Sequence, residues 1–77
     1  MSEINLAQIT ELAAKSGRFQ VEKNGHDQSI TITRRNPTSG KIIEGVRCFI
    51  TGQCLDLVWN LSPPLSLSEA AKHLNLV

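Results

Sequence analysis

Near the start of the chain, apolar residues recur at intervals of three and four, which is the pattern of one face of a helix. The residues on this face are Leu6, Ile9, Leu12, Ala13 and Ser16. Ser2 or Asn5 can cap the first turn, and Gln8 can return a hydrogen bond to Asn5. Gly17 suits the left-handed backbone that often follows a helix. The pattern predicts a helix from about Asn5 to Ser16.

Two segments then alternate between apolar and polar residues with the period of a β-strand, over 18–23 and 29–34. The apolar residues on their inward side are Phe19, Val21, Ile30 and Ile32. The Asn-Gly pair at 24–25 is a hairpin signal. The two strands are therefore predicted to pair antiparallel.

The length of this hairpin loop decides which residues face each other. A two-residue loop would place Glu22 opposite Asp27, and facing like charges are destabilising. A four-residue loop over 24–27 avoids that contact and keeps the apolar faces aligned. The longer loop predicts the pairs Val21–Ile30 and Phe19–Ile32.

A third strand is predicted over 42–50, after a turn that contains Pro37 and Gly40. Its core-facing residues are Val46, Cys48 and Ile50. Ile43 breaks the alternation, and a β-bulge at Glu44–Gly45 would restore it, because one extra residue shifts the pattern.

A tight turn at Thr51–Gly52 leads to a fourth segment, over 53–61. As a strand, it would place Leu55 opposite Cys48 and Leu57 opposite Val46. Residues 55–59 also fit a helix, so both structures remain open for this part of the chain.

The last predicted element is a helix that opens after Pro63–Pro64. Ser66 and Glu69 have the spacing of a capping box. The inward stripe of this helix is Leu67, Ala70, Ala71 and Leu74.

These elements predict one α+β domain over 1–77, with an antiparallel meander of three or four strands and both helices on one face. The predicted inner layer contains Leu6, Ile9, Leu12, Phe19, Val21, Ile30, Ile32, Val46, Cys48, Ile50, Leu55, Leu57, Leu67, Ala70 and Leu74.

Composition narrows the class of protein. With 77 residues the chain has material for a single core, and no apolar run approaches the ~20 residues of a membrane span. Glu3 stands where a secretory signal would carry basic residues, so we expect a cytoplasmic protein with reduced cysteines. A domain this small often gains stability by oligomerisation.

Neither a metal site nor an active site is expected. The candidate metal ligands are Cys48, Cys54, His26 and His73, but five residues separate the cysteines, unlike a zinc knuckle. In the predicted register the two cysteines point to opposite faces of the sheet, which also argues against a disulfide. The sequence predicts no cofactor, no small-molecule substrate and no catalytic residue.

The predicted register leaves apolar residues on the sheet face away from the helices. These are Phe49, Cys54 and Val58, with Trp59 beside them. An open apolar patch on a small sheet usually marks a contact surface. We therefore expect a non-enzymatic regulatory or accessory module that binds another protein, or itself, through the outer sheet face.

The alternative is a nucleic-acid-binding module. Four cations lie on or near one hairpin: Arg34, Arg35, Lys41 and Arg47. Eight basic against seven acidic residues give a net charge of only +1, and no aromatic side chain interleaves the cluster for base stacking. The element order is similar to that of double-stranded-RNA-binding domains, but the last helix begins with Ser66, Ser68 and Glu69 instead of lysines.

Overall fold

A computed structural model of the protein describes residues 4–58 and 64–77. It has two helices and a five-stranded sheet in the order α1, β1 to β5, α2. The bounds are α1 Leu6–Ser16, β1 Gln20–Asn24, β2 Ser29–Arg35, β3 Ile42–Cys48, β4 Gln53–Asp56, β5 Leu65–Ser66 and α2 Leu67–His73. The strands pair antiparallel in sequence order. The α+β prediction is confirmed.

Helix α1 begins and ends as its sequence predicts. Asn5 is the N-cap, and its side chain accepts a hydrogen bond from the Gln8 amide at 2.8 Å. The Gln8 side chain accepts one from the Asn5 amide at 2.8 Å, which completes the capping box. Gly17 ends the helix with φ of 71°, a left-handed backbone that glycine adopts at little cost. Ser2, the alternative cap, lies outside the described residues.

The C-terminal helix α2 has the predicted capping box between Ser66 and Glu69, with both hydrogen bonds at 3.1 Å. The residues just before it form β5, a two-residue strand that the sequence did not predict. Its ladder pairs Leu65 with Cys54 and Ser66 with Gln53. This pairing ties the start of α2 directly to the edge of β4.

The first hairpin keeps its predicted faces but not its predicted register. Val21 lies opposite Ile32 instead of Ile30, a shift of two residues. The four-residue loop therefore covers 25–28, and Gln28 adopts a left-handed φ of 60°. Asp27 fixes this turn by accepting hydrogen bonds from the Ser29 amide and hydroxyl. A two-residue shift leaves every side chain on its original face, so the inward residues stay inward.

The predicted β-bulge exists, one position earlier than expected. Arg34 lies opposite Glu44 and Arg35 opposite Ile42, which leaves Ile43 as the extra residue of β3. The bulge restores the alternation, and Val46 and Cys48 both point into the core.

In the β3–β4 hairpin the pairing is shifted by one residue from the prediction, and this shift exchanges the two faces of β4. Cys54 lies opposite Cys48, and Asp56 lies opposite Val46. The chain turns over 49–52, where the Gly52 amide donates to the Phe49 carbonyl at 2.9 Å. Because side chains alternate between faces, the predicted positions of Leu55 and Leu57 in the core are wrong. Both point to the outer face, with 42% and 41% of their surface exposed.

The core lies between the inner sheet face and the two helices. Its buried apolar residues are Ile9, Ala13, Phe19, Ile30, Ile32, Val46, Cys48, Cys54, Ala70, Ala71 and Leu74. Leu6, Val21 and Leu67 pack against this cluster while half-buried. Ile50 was also predicted inside, but β3 ends at Cys48 and Ile50 is 65% exposed in the turn.

Strand β4 ends at Asp56, earlier than the predicted boundary at 61. Residues 53–56 are extended, as the strand interpretation requires, whereas the part of the prediction over 59–61 lies outside the described residues. Within the described residues, neither helix has the length and apolar character needed to cross a bilayer.

Candidate interaction face

The sheet has an outer face against which no helix packs in the described part of the chain. The apolar side chains that the ladders place on the β3–β4 side of this face include Phe49, Leu55 and Leu57. We call these three residues the outer apolar strip. Leu55 lies opposite Arg47, and the Leu57 amide donates to the Gly45 carbonyl at 2.9 Å.

Gly45 lets the strip lie close to the sheet. A Cβ atom at this position would come within 3.1 Å of the Ile32 carbonyl oxygen and of the Thr33 methyl group. It would also lie 3.3 Å from a Leu57 methyl. The missing side chain therefore leaves room for Leu57 to lie over the β3 backbone.

Arg47 lies between the members of the strip and is held by the protein itself. Its guanidinium carbon lies 5.4 Å from the centre of the Phe49 ring, a cation–π contact. It also forms an ion pair with Asp27 at 2.7 Å and donates a hydrogen bond to the Ser29 hydroxyl at 3.1 Å. The aliphatic part of this side chain thus adds apolar surface to the strip while its charge is paired.

The β1–β2 side of the outer face is polar, and several of its groups bind one another. The side-chain amide of Asn24 donates to the hydroxyls of Ser29 and Thr31 at 3.0 and 2.9 Å. The Ser29 hydroxyl donates to Asp27 at 2.6 Å. This bond, with the Ser29 amide and then Arg47, holds the pKa of Asp27 below its ordinary value.

Of the four residues predicted to form the outer contact surface, only Phe49 is placed on the outer face, where it is half-buried. Val58 follows the end of β4 at Asp56 and is 39% exposed, but the ladders do not place it on this face. Cys54 is wrong for this surface, because the one-residue displacement turns it inward and buries it completely. Trp59 lies outside the described residues. Leu55 and Leu57 take the place that the prediction gave to Cys54.

The four predicted nucleic-acid contacts do not form one surface. Arg34 pairs with Glu44 at 2.7 Å, on the side of the sheet that faces the helices. Arg47 is on the opposite side and pairs with Asp27. Arg35 donates to the Gly40 carbonyl at 2.8 Å within the β2–β3 turn, where Lys41 is exposed.

The two cysteines face each other in the core. The structure overturns the prediction that they point to opposite faces, since their Sγ atoms lie 2.9 Å apart and share a hydrogen bond. Both are free thiols without exposed surface. The spacing of five residues fits a hairpin whose turn occupies 49–52, but the sequence alone allowed neighbouring registers.

A second polar pair on the inner side was not predicted. The Asp56 carboxylate lies 2.5 Å from the His73 Nε2 atom and accepts a hydrogen bond from the Val58 amide at 2.7 Å. Only 1% of the Asp56 side chain is exposed, against 34% of the His73 side chain. Seventeen residues separate the partners, so no local pattern could have joined them.

A shallow groove lies between α1 and the first two strands, and mostly apolar side chains line it. Its lining is Leu6, Ala7, Thr10, Glu11, Ala14, Lys23 and Ile30. Glu11 pairs with Lys15 at 2.8 Å, which lowers the pKa of its carboxyl through the hydrogen bond and the charge of the lysine. Among the described residues, no group of three or more His, Cys, Asp or Glu side chains is placed to hold a metal ion.

Comparisons with protein-family models, with curated proteins and with solved structures find no match to this chain.

Proposed function

We propose that this protein is a non-enzymatic interaction module whose outer apolar strip packs against the same strip of a second copy. The observation that carries the proposal is the exposure of Leu55 and Leu57 beside Phe49 on an open sheet face. Grouped apolar side chains on a sheet are a common mark of a contact surface. Burying them removes apolar area from water, which is the main driving force of association.

Charge favours a second copy as the occupant. In a two-fold interface each surface meets itself, so a strip with unpaired charge would repel its partner. Here the cation within the strip is already paired, because Arg47 binds Asp27 at 2.7 Å. An apolar strip with internally paired charge is complementary to itself.

Size supports the same choice. A domain of 77 residues buries a smaller fraction of its surface than a larger one. Its buried residues include alanines and cysteines as well as larger aliphatic side chains, so a second apolar layer adds appreciably to the stability of the fold.

Sedimentation equilibrium tests the proposal across a wide range of protein concentration. We expect wild type to shift from monomer to dimer as concentration rises. Leu55→Glu should abolish the dimer, because two carboxylates would be buried at the interface. Gln20→Glu is the matched control: it adds the same charge to the polar side of the same face and should leave the dimer intact.

A thermal unfolding curve for each variant confirms that it is folded. A monomeric mass for wild type at every concentration would overturn the proposal, as would a dimer that Leu55→Glu leaves unchanged. Leu55→Ser repeats the test with a smaller change if the glutamate variant does not fold.

Nucleic-acid binding is the weaker proposal. Two of its four cations, Arg34 and Arg47, are already paired with carboxylates on opposite sides of the sheet. Retention on heparin that disappears in an Arg34→Glu, Arg35→Glu double variant would favour it over self-association.

A further inference from the structure

The β3–β4 hairpin places two buried thiols side by side. Cys48 and Cys54 are direct partners in the ladder, and their Sγ atoms are 2.9 Å apart. They are the two cysteines of the chain. We propose that they form a modification site, at which oxidation by a hydroperoxide closes an intramolecular disulfide. This inference does not depend on the proposed function.

The ladder gives the pair a backbone spacing that a disulfide accepts. The Phe49 amide donates to the Gln53 carbonyl at 2.8 Å, and the Leu57 amide donates to the Gly45 carbonyl at 2.9 Å. Hydrogen-bonded and non-hydrogen-bonded pairs alternate along an antiparallel ladder, so the cysteines occupy a non-hydrogen-bonded pair. Such pairs have Cα atoms about 4.5 Å apart. Disulfides span Cα separations of roughly 4.4–6.8 Å.

The shared hydrogen bond makes the two thiols chemically unequal. It raises the pKa of Cys48, and burial acts in the same direction. The same hydrogen bond lowers the pKa of Cys54, against the effect of burial. The thiolate is the form that attacks peroxide, and a hydrogen bond from the neighbouring thiol favours that form on Cys54.

The chemistry proceeds in two balanced steps. The Cys54 thiolate attacks one oxygen of hydrogen peroxide; an S–O bond forms, the O–O bond breaks, and hydroxide leaves and takes up a proton. The Cys48 sulfur then attacks the sulfenic sulfur; the S–S bond forms, the S–O bond breaks, and water leaves with the Cys48 proton. In total, two thiols and one peroxide give one disulfide and two waters.

Access to the sulfurs requires a local opening, since both residues have no exposed surface. The neighbour of Cys54 on its far side is β5, a strand of two residues that pairs through Leu65. Short edge strands open at lower cost than the centre of a sheet. Opening of β5 exposes Cys54 before Cys48, which lies between two longer strands.

Intact-mass spectrometry tests the site on the wild-type protein. Reduced protein at low concentration is treated with a small excess of hydrogen peroxide and then alkylated under denaturing conditions, with and without prior reduction. We expect a monomer that is lighter by two hydrogens, takes up no alkyl group before reduction and takes up two after it. Addition of oxygen without loss of hydrogens, a covalent dimer, or two thiols that remain alkylatable would overturn the proposal.

Single variants test the order of the steps. In Cys48→Ser the resolving thiol is gone, so dimedone should trap a sulfenic acid on Cys54. In Cys54→Ser, labelling of Cys48 should be several-fold slower. Equal labelling of the two variants would contradict the assignment of Cys54 as the attacking sulfur. If a variant fails to fold, the mass measurement on wild type still tests the proposal.

Discussion

The β1–β2 and β3–β4 hairpins differ in what they leave on the outer face of the sheet. In β1–β2 several outward polar groups bind one another, with the Asn24 side chain donating to Ser29 and Thr31. In β3–β4 the outward groups include the apolar side chains of Phe49, Leu55 and Leu57, and the two leucines are 42% and 41% exposed. Polar side chains can form hydrogen bonds with one another within one strand pair, whereas apolar side chains gain stability only when they are buried. The proposed interaction face is therefore confined to the β3–β4 side of the outer surface.

The largest expected effect is on the free energy of unfolding, and it depends on the β3–β4 register that creates this difference. In β4, Cys54 points inward and Leu55 outward. Cys54→Glu places an unpaired carboxylate in the core, at a cost of several kcal/mol, and should prevent folding. Leu55→Glu should change the free energy of unfolding of the monomer by less than about 1 kcal/mol. Urea unfolding at low protein concentration measures both.

The converse result would contradict the orientation of β4. If Cys54→Glu folds and Leu55→Glu does not, then Leu55 points into the core and Cys54 points outward. The outer apolar strip then does not exist. Gln53→Glu, an exposed neighbour in the same strand, controls for the effect of a new charge on β4 itself.

A smaller effect is expected at the polar hairpin when pH falls. The folded-state pKa of Asp27 is lowered, chiefly by the hydrogen bonds from Ser29 and then by Arg47. Its contribution to stability is thus complete above the ordinary aspartate pKa of about 4. That contribution is lost as pH falls through the lowered folded-state value.

The test compares wild type with Asp27→Asn across this acidic range. Wild type should be the more stable protein near neutral pH, and the difference in thermal midpoint should shrink as Asp27 is protonated. A difference that stays constant or grows on acidification would show that the carboxylate does not hold this turn.

Local patterns predicted most of the fold because they are decided by neighbours in the chain. The capping residues Asn5 and Ser66, the glycine at Gly17 and the need for a bulge near Ile43 all follow from a few adjacent positions. The register of β1–β2 was off by two residues, which changed the pairs and left the faces intact.

The candidate site was predicted only in part, because a shift of one residue in the β3–β4 pairing exchanges the two faces of β4. The pattern over 53–58 has leucines at one parity and Cys54 and Asp56 at the other, so hydrophobicity favoured the leucines inside. The fold reverses this choice because the turn at 49–52 brings Cys54 opposite Cys48. His73, in the last helix, then contacts Asp56, and only the complete fold creates this contact.

We propose that two copies meet through the outer apolar strip. Isotope-filtered NMR on a mixture of carbon-13-labelled and unlabelled protein tests it most directly, at a concentration where a dimer is populated. We expect intermolecular contacts between the methyl groups of Leu55 or Leu57 and the strip of the other copy, including the Phe49 ring. Intermolecular contacts confined to α1 or the β1 edge, or none at all, would contradict it.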